Sequence, residues 1–516
     1  MVDADLVEGV RDALALDGDT FQTRAATEAA IVREYVDDGA FDNPQGLVGL
    51  EHEFYAVANR EGTERWVAPE QAGEAGSLAR VPRRLLGYVG FEKELGLHNA
   101  ELSTTPQPLN RDGLRAQEHA VAAHLRAVRE PMRANGLRLV SDGLWTIPPT
   151  GETAGEYLTD YVTVEGLRFA TNMSASPRYH AMSNTTPEPA MEFSVPHASL
   201  DAETVLPESL ITSIQPHYQV PNARELPSYF RYALRVAGPL LALAVNSPLL
   251  PPDLYDEGVD PEAVFADGHD EHRIAVFEEV MNSPEAEKVR FPHDVETVEE
   301  ALDAIVADPT LVPADLRDGD RFDDEFAHLR HKHGTYWRWV RPVFDGATRS
   351  SANARVEFRP LPAQPTVRDA VAFQAAFAGL LVCLPSRDHP AGDLDWDLAK
   401  QNFYAAARDG LDADLHWITA DGESTAGTDE LYDDLLRAAA DGLRARGVPA
   451  EETARYLQPL RERAQRGVTP ADWKRARARE HLAGADGLAG AVYEAQREYL
   501  RRQRETLFEG SFADWL

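Results

Sequence analysis

Four short β-prone segments, each with polar or charged side chains at alternating positions, constrain the fold most strongly. They lie at residues 47–58, 101–106, 212–221 and 353–360. Side chains alternate between the two faces of a strand, so such segments have one polar face and one apolar face. Helical stretches separate them irregularly along the chain. This order predicts an α+β fold in which helices cover a sheet, rather than a doubly wound parallel sheet.

Hydrophobic periodicity and end signals predict the other elements. Further strands are predicted at 137–141 and 337–343. Helices are predicted over the first 45 residues, at 111–136, from the end of the third β-prone segment to about 245, at 367–383, and through most of the chain from 396. Loops are predicted at 143–166 and 182–208, which are rich in Pro, Thr, Ser and Gly.

Two carboxylates stand two positions apart in the first β-prone segment. Residues 49–54 read Gly-Leu-Glu-His-Glu-Phe, so Glu51 and Glu53 share a strand face, about 7 Å apart. Leu50 and Phe54 lie on the opposite face. Such a pair can bind hard divalent cations through its oxygens. An isolated Glu-x-Glu is also typical of a solvated strand face, so both interpretations stay open at this point.

The next two β-prone segments carry weaker signals of the same kind. Glu101 begins a short β-prone run that ends at Pro106, and the start of a strand is a common place for an acidic residue. In the third segment Gln215, His217 and Gln219 share a face. A polar face of this kind just before a hydrophobic helix suggests a lined cleft, although a lone histidine is more often a hydrogen-bonded structural residue.

The fourth β-prone segment alternates charged and apolar residues. Glu357 lies between Arg355 and Arg359 on one face, with Val356 and Phe358 on the other. A carboxylate beside arginine on a strand can form a plain cross-strand ion pair. It can also hold a metal ion while the arginine contacts phosphate oxygens.

The charge of the chain restricts its partners and its environment. The 516 residues include 86 acidic and 51 basic side chains, a formal net charge of −35 at pH 7. Phosphate neutralisation needs a basic face, so this balance argues against a nucleic-acid binder. Lysine occurs only at positions 93, 288, 332, 400 and 474. An acidic, lysine-poor surface suggests adaptation to high salt, where screening relieves self-repulsion.

The sequence predicts a cytoplasmic protein without a membrane segment. The chain opens with acidic residues and lacks the basic and apolar regions of a secretory signal. The apolar stretch 238–250 is too short to span a bilayer and contains Asn246 and Ser247. The single cysteine, Cys383, lies in an apolar run, so we expect a buried thiol and no disulfide.

Taken in order, these motifs resemble the type 2 glutamate–cysteine ligase family, also called carboxylate–amine ligases. Residues 49–53 resemble its Gly-x-Glu-x-Glu strand, and residues 101–106 resemble its Glu-Leu-x-Thr-x-Pro motif. Val356-Glu-Phe-Arg359 resembles its Val-Glu-x-Arg motif. Further similar stretches are Arg178-Tyr179, residues 212–217, the Asn-Ser-Pro at 246–248, Arg273, residues 335–342, 364–366 and 402–411. The resemblance covers about residues 47–412.

The resemblance implies a glutamine-synthetase-like fold, with a curved antiparallel sheet that carries an ATP site and is covered by helices. It implies an N-terminal helical extension at 1–46, a ligase domain at 47–412, and a helical C-terminal region at 413–516 packed on the ligase domain. The implied reaction is ATP-dependent amide formation, in which an acyl phosphate forms and an amine displaces phosphate. The favoured substrates are glutamate and cysteine, giving γ-glutamylcysteine.

The resemblance also implies site residues, position by position. The shell for two or three Mg²⁺ or Mn²⁺ ions would be formed by Glu51, Glu53, Glu94, Glu101, His217 and Glu357. Catalytic roles fall to Arg341 and Arg359, with Arg359 and Glu53 contacting the nucleotide. Candidates for substrate contacts are Arg178, Arg273 and Gln219, the last standing where many relatives have a second histidine.

Several alternatives stay open. The same chemistry could act on another amine or carboxylate, because insertions near 182–208 and 285–330 could reshape the amine pocket. The chain could also be a non-catalytic ATP-binding relative, or a hydrolase that uses metal-activated water. The expected partners are small amino-acid substrates. The oligomeric state is open, and a homodimer is compatible with the sequence.

Overall fold

The computed structural model describes residues 2–59, 74–185, 191–283, 286–316 and 319–516, and within these it has 17 α-helices and 14 β-strands, numbered here in chain order. The helices are α1 Ala4–Ala15, α2 Gly18–Asp37, α3 Arg83–Tyr88, α4 Arg111–Ala134, α5 Ala154–Thr159, α6 Pro177–Met182, α7 Leu226–Ala244, α8 Pro261–Asp267, α9 His272–Met281, α10 Val298–Ala307, α11 Ala327–His333, α12 Val367–Ser386, α13 Trp396–Asp409, α14 Thr428–Ala445, α15 Ala450–Arg466, α16 Pro470–Leu482 and α17 Gly487–Thr506. The strands are β1 Leu47–Ala58, β2 Glu92–Lys93, β3 Asn99–Ser103, β4 Gln107–Pro108, β5 Leu137–Val140, β6 Tyr161–Val164, β7 Leu167–Ala170, β8 Met191–Val195, β9 Ala198–Ala202, β10 Ile214–Gln219, β11 Val340–Asp345, β12 Asn353–Phe358, β13 Trp417–Ile418 and β14 Ser424–Thr425.

One curled antiparallel sheet organises the molecule, as the sequence predicts. Its strand order is β11-β12-β10-β1-β3-β2, and β4 and β5 also pair with β1. The central strand β1 therefore has β10 and β5 along one edge, and β3 and β4 along the other. The register sets Glu53 opposite Glu101 and Glu51 opposite Gln215. The strands that carry the polar faces are thus neighbours in space.

The other face of the sheet packs on buried helices, among them α7 and α12. The ring of Phe358 stacks on Phe377 of α12, with ring centroids 4.4 Å apart. This helix begins at a cap in which Thr366 accepts a hydrogen bond from the Asp369 backbone at 3.1 Å. It is the one helix in the described residues that is long and apolar enough to cross a membrane, but 89% of its apolar window is buried in the fold. It is therefore a core helix.

The terminal regions are helical, which confirms that prediction. In the N-terminal region α1 packs on α6, and α2 packs on α10 and α11. In the C-terminal region Lys474 of α16 binds the Asp142 carboxylate and the Asn246 carbonyl oxygen, the latter at 2.7 Å. Gln496 of α17 donates to the same Asp142 carboxylate at 2.8 Å. The C-terminal helices therefore share a buried polar network with the loops behind the sheet, and the division into three regions stays a prediction.

Two predicted loops are wrong in part. The stretch 143–166 contains α5 and β6, and the stretch 182–208 contains β8 and β9. These short strands form local hairpins, β6 with β7 and β8 with β9, so no long periodic pattern marks them. Their turns depend on positive φ angles, 54° at Glu165 and 65° at His197. Residues 186–190 of the second stretch, and residues 285, 317 and 318 of the predicted insertion 285–330, lie outside the described residues.

Candidate active site

Carboxylates from three strands and one imidazole share the polar face of the sheet. Glu53 of β1 stands directly opposite Glu101 of β3, and His217 of β10 stands directly opposite Glu357 of β12. Directly opposed residues of an antiparallel pair have Cβ atoms about 4.5–5.5 Å apart. Glu51 lies on the same face of β1, two residues before Glu53 and two residues after Gly49, which stands opposite His217. Strand pairing alone therefore gathers five of the six residues predicted to bind metal.

Glu51, His217 and Glu357 form a group with the geometry of a metal site. One ligand atom from each lies within 4.8 Å of the others. His217 Nε2 is 3.5 Å from Glu51 Oε1, and this nitrogen is buried without a hydrogen-bond partner. Two carboxylates and one imidazole are ligands that Mg²⁺ and Mn²⁺ accept. The residues therefore fit a divalent cation.

The second ring nitrogen of His217 constrains how the imidazole can act. Arg355 Nε donates to His217 Nδ1 at 3.1 Å, which leaves the proton of a neutral ring on Nε2. Ligation through Nε2 then requires the Arg355 bond to break and the proton to move to Nδ1. Arg355 has other acceptors for this purpose, Asp345 at 2.7 Å and Asn353 at 3.0 Å.

Glu53, Glu94 and Glu101 form a second group of carboxylates. Burial, together with the charges of Glu51, Glu94 and Glu53, raises the pKa of Glu101 well above its usual range. Burial and the charge of Glu94 raise the pKa of Glu53 to about 7. Like charges crowded away from water favour protonation or a neutralising cation. This group also fits a divalent ion, and Glu94 joins it from the end of β2.

Glu53 and Glu94 are held in place by backbone donors and, for Glu53, by one side-chain amide. Glu53 accepts hydrogen bonds from the Ser213 backbone at 2.7 Å and from the Gln215 amide at 2.9 Å. The Leu95 backbone donates to Glu94 at 3.0 Å. These bonds orient the carboxylates before any ligand arrives.

Arg341 and Arg359 converge on one oxygen of Glu357. Arg341 Nε and Arg359 Nη1 each donate to Glu357 Oε1 at 2.8 Å, and Arg359 Nη1 also donates to Gln215 at 2.5 Å. Burial alone would raise the pKa of Glu357, but the charges of Arg341, His217 and Arg359 hold it well below its usual value. Both Arg359 bonds use Nη1, and its Nε is buried without a partner. Its Nε–Nη2 edge makes no hydrogen bond within the described residues.

The three predicted substrate contacts have different surroundings. Arg178 has two buried nitrogens, Nε and Nη2, without a partner, so it retains donors for an anion. Arg273 is 2% exposed, lies 3.4 Å from Glu271, and donates to the Pro360 carbonyl, which favours a role in holding the end of β12. Gln219 lies in another part of the site.

Gln219 lines a cavity of about 270 Å³ together with Glu51, His217 and Arg355. Its Nε2 is buried without a partner, and its Oε1 accepts a hydrogen bond from Asn43 at 3.4 Å. This cavity adjoins the group Glu51, His217 and Glu357. Gln219 is therefore placed to contact the ligand that enters on that side.

Two further residues belong to the site: Glu208, which was not predicted there, and Gln215, which was predicted only to share the polar face of its strand. Glu208, on the 3₁₀ turn Leu206–Leu210, is close enough to Glu94 and Glu53 for their charges to raise its pKa. Gln215 bridges Glu53 and Arg359. The sequence signal for Glu208 was available, because it is the one charged residue in the apolar stretch 204–212.

One known protein family matches most of the chain. The family described as glutamate-cysteine ligase family 2 matches residues 47–506. The chain belongs to this family. The match makes it an ATP-dependent carboxylate–amine ligase by family, a class that uses ATP and divalent metal ions. The match also extends past residue 412, through the C-terminal helices of this ligase-family chain.

One solved structure supports the fold of this glutamate-cysteine ligase family 2 chain. The chain resembles a glutamate–cysteine ligase from Francisella tularensis in complex with AMP, with TM-score 0.52, 14% identity, and 92% of each chain covered. It also resembles a bifunctional glutathione synthetase from Pasteurella multocida, with TM-score 0.47, 13% identity, and 92% of this chain and 55% of that chain covered. A search of curated protein sequences finds no match. At these identities the first likeness shows the fold alone.

Proposed function

We propose that the protein is an ATP- and Mg²⁺-dependent ligase that joins glutamate to cysteine and forms γ-glutamylcysteine through an acyl phosphate. The observation that carries the proposal is the group Glu51, His217 and Glu357, beside the free Nε–Nη2 edge of Arg359. A triphosphate needs neutralising cations and a fixed donor for the phosphoryl group that moves. The site offers positions for both.

Residues at different positions on the sheet would bind different ligands. Divalent ions would be held by Glu51, His217 and Glu357 on one side and by Glu53, Glu94 and Glu101 on the other. Bound Mg²⁺ would offset the charge of the triphosphate and polarise the phosphoryl group. Gln219 and the cavity of about 270 Å³ would receive the nucleotide on the side of His217.

The chemistry has two steps. A carboxylate oxygen of glutamate attacks the terminal phosphorus of ATP, and the bond to the leaving ADP oxygen breaks. The amine nitrogen then attacks the acyl carbon, the C–O bond to phosphate breaks, and the amine loses a proton. Arg359 is placed to donate to the phosphoryl oxygens through its free edge, while Arg341 holds Glu357 in place. Arg178 retains free donors for a substrate carboxylate.

We further propose that the enzyme works in a salt-rich cytoplasm. Three of its five lysines, Lys288, Lys332 and Lys474, are at most 3% exposed. Lys288 and Lys474 pair with buried aspartates. Only Lys93 and Lys400 are exposed, so the surface is even poorer in lysine than the composition indicates. High salt would screen the net charge of −35.

The test is phosphate release from ATP in molar KCl with Mg²⁺, with glutamate paired with each amino acid in turn. We expect release that requires both glutamate and cysteine, with the dipeptide identified by mass. The matched control is Glu357→Gln, which should be inactive. Release with a different amine or carboxylate would replace the substrate assignment. ATP binding without release across the panel would contradict the enzymatic proposal and favour a non-catalytic relative.

A further inference from the structure

Glu208 lies on a turn that is tied to the start of β3, the strand of Glu101, because the Ser209 carbonyl accepts hydrogen bonds from the His98 ring at 2.8 Å and from the Asn99 amide at 3.4 Å. This is the 3₁₀ turn Leu206–Leu210, just before β10. The other four side chains of this turn are buried, whereas Glu208 is half-buried. Its carboxylate accepts no hydrogen bond from the residues that the structure describes. The turn therefore presents one charged group to the site.

The charges around Glu208 disfavour its ionised form unless a cation binds to it. Burial and the charges of Glu94 and Glu53 raise its pKa well above the usual range, and Arg359 is the one cation that opposes them among the described residues. By contrast, Glu53 accepts two hydrogen bonds, and Glu357 is bound by two arginines. Glu208 therefore shares with Glu101 the lack of a bonded cation among the described residues.

The position of Glu208 is set by rigid packing. Leu206 of the same turn belongs to a small apolar cluster with Val10 of α1 and with Leu95, the neighbour of Glu94. Helix α1 lies before the part of the chain that matches the family. The N-terminal extension therefore supports the corner of the site that contains Glu94 and Glu208.

An unpartnered donor lies near the same corner. Burial and the charges of Glu94 and Glu208 raise the pKa of Tyr179, and its hydroxyl makes no hydrogen bond to the described residues. The next residue in the chain, Arg178, has two buried nitrogens without a partner, but its guanidinium lies beside Gly334 rather than at this corner. An amino acid carries an ammonium group, which needs an acceptor, and a carboxylate, which needs donors. This corner offers both kinds of group.

We propose that Glu208 binds the primary ammonium group of an amino-acid substrate. The inference rests on the proposed function, because it assumes that amino acids occupy the site. The ammonium group could belong to the amino acid that is phosphorylated or to the one that supplies the amine, and the chemistry of recognition is the same. A buried carboxylate that meets an ammonium group forms a charge-assisted hydrogen bond.

The test compares ligands that differ only in the ammonium group. Calorimetric titrations in molar KCl with Mg²⁺ measure L-glutamate against glutarate, and L-cysteine against 3-mercaptopropionate. We expect the wild-type protein to prefer the ammonium-bearing member of one pair by about 10- to 100-fold, and Glu208→Gln to reduce this preference to about twofold or less. The pair that responds identifies the source of the ammonium group.

The control is Glu203→Gln, an exposed residue just before the turn that pairs with Arg168 at 3.2 Å. It should retain the wild-type preference. Glu208→Gln should not lower the melting temperature, because it removes a repelled charge and no bonded partner. A large fall would assign Glu208 a structural role and overturn the inference.

Three other outcomes would also overturn the inference. They are an unchanged preference in Glu208→Gln, no preference in the wild type for either pair, and a weakened Mg²⁺ affinity with the preference intact, which would make Glu208 a metal ligand. These titrations need no turnover. A lack of phosphate release would therefore contradict the proposed function without deciding the role of Glu208.

Discussion

Arg359→Lys tests whether the Nε–Nη2 edge of the Arg359 guanidinium stabilises the transition state of phosphoryl transfer. In the wild type, Nη1 binds Glu357 at 2.8 Å and Gln215 at 2.5 Å, while the Nε–Nη2 edge is free. A lysine ammonium can replace the Nη1 contact to Glu357, so the positive charge and one ion pair remain. It cannot present two parallel donors to a phosphoryl group. The substitution therefore removes the free edge and keeps most of the local charge.

The expected loss follows from this geometry. Removing one donor that stabilises transition-state charge costs about 10²–10³ in kcat, or about 2.7–4 kcal/mol. The KM for ATP should change much less, because the donor acts mainly as charge shifts during transfer. The free energy of unfolding should fall by about 1.5–3 kcal/mol, since one hydrogen bond from the charged guanidinium, to Gln215, is lost.

Steady-state phosphate release and a melting curve on the same variant measure both effects. Arg235→Lys is the matched control, because Arg235 is buried and its donors bind Asp294 at 2.7 Å and the Leu394 carbonyl at 3.0 Å. This control should lower the melting temperature and leave kcat unchanged. If Arg359→Lys behaves like the control, with normal kcat and a lower melting temperature, Arg359 is a structural ion-pair residue and the assignment fails.

Three further predictions follow from the same contacts. Glu101→Gln and Glu357→Gln should each abolish turnover at ordinary Mg²⁺, and near-normal kcat in either would remove that residue from the metal shell. In chelator only Glu357→Gln should lower the melting temperature, because the amide oxygen can still accept a hydrogen bond but the negative charge that compensates two buried arginines is lost. The pKa of Glu53 in the folded protein, about 7, lies above its ordinary value of 4.5, so this carboxyl should make the metal-free protein less stable as the pH rises between these values. Mg²⁺ should then raise the melting temperature more at about pH 8 than at about pH 5.5, and an equal rise would contradict the shift. The melting temperature should also rise from low salt to molar KCl, because the chain carries a large net negative charge and Lys93 and Lys400 are its only exposed lysines. A melting temperature that does not rise would exclude salt adaptation.

The elements with strong local signals could be predicted from the sequence. Strand β1 spans the predicted 47–58, and α12 begins at the predicted Thr366 cap. The shared face of Glu51 and Glu53 follows from the period of two in any strand. The short hairpins were missed, because β6 and β8 each pair with a single adjacent strand and carry no long pattern.

The sequence by itself determined the residue types, the strand faces and the family, since these depend on local order along one chain. Only the tertiary structure decided which of these groups meet. The pairing of His217 with Glu357 joins strands far apart in the chain, and the partners of Arg273 are set by packing around β12. Glu208 lies beside the site because Leu206 and its neighbours are buried, and a single 3₁₀ turn is too short to show a repeat from which that orientation could be read.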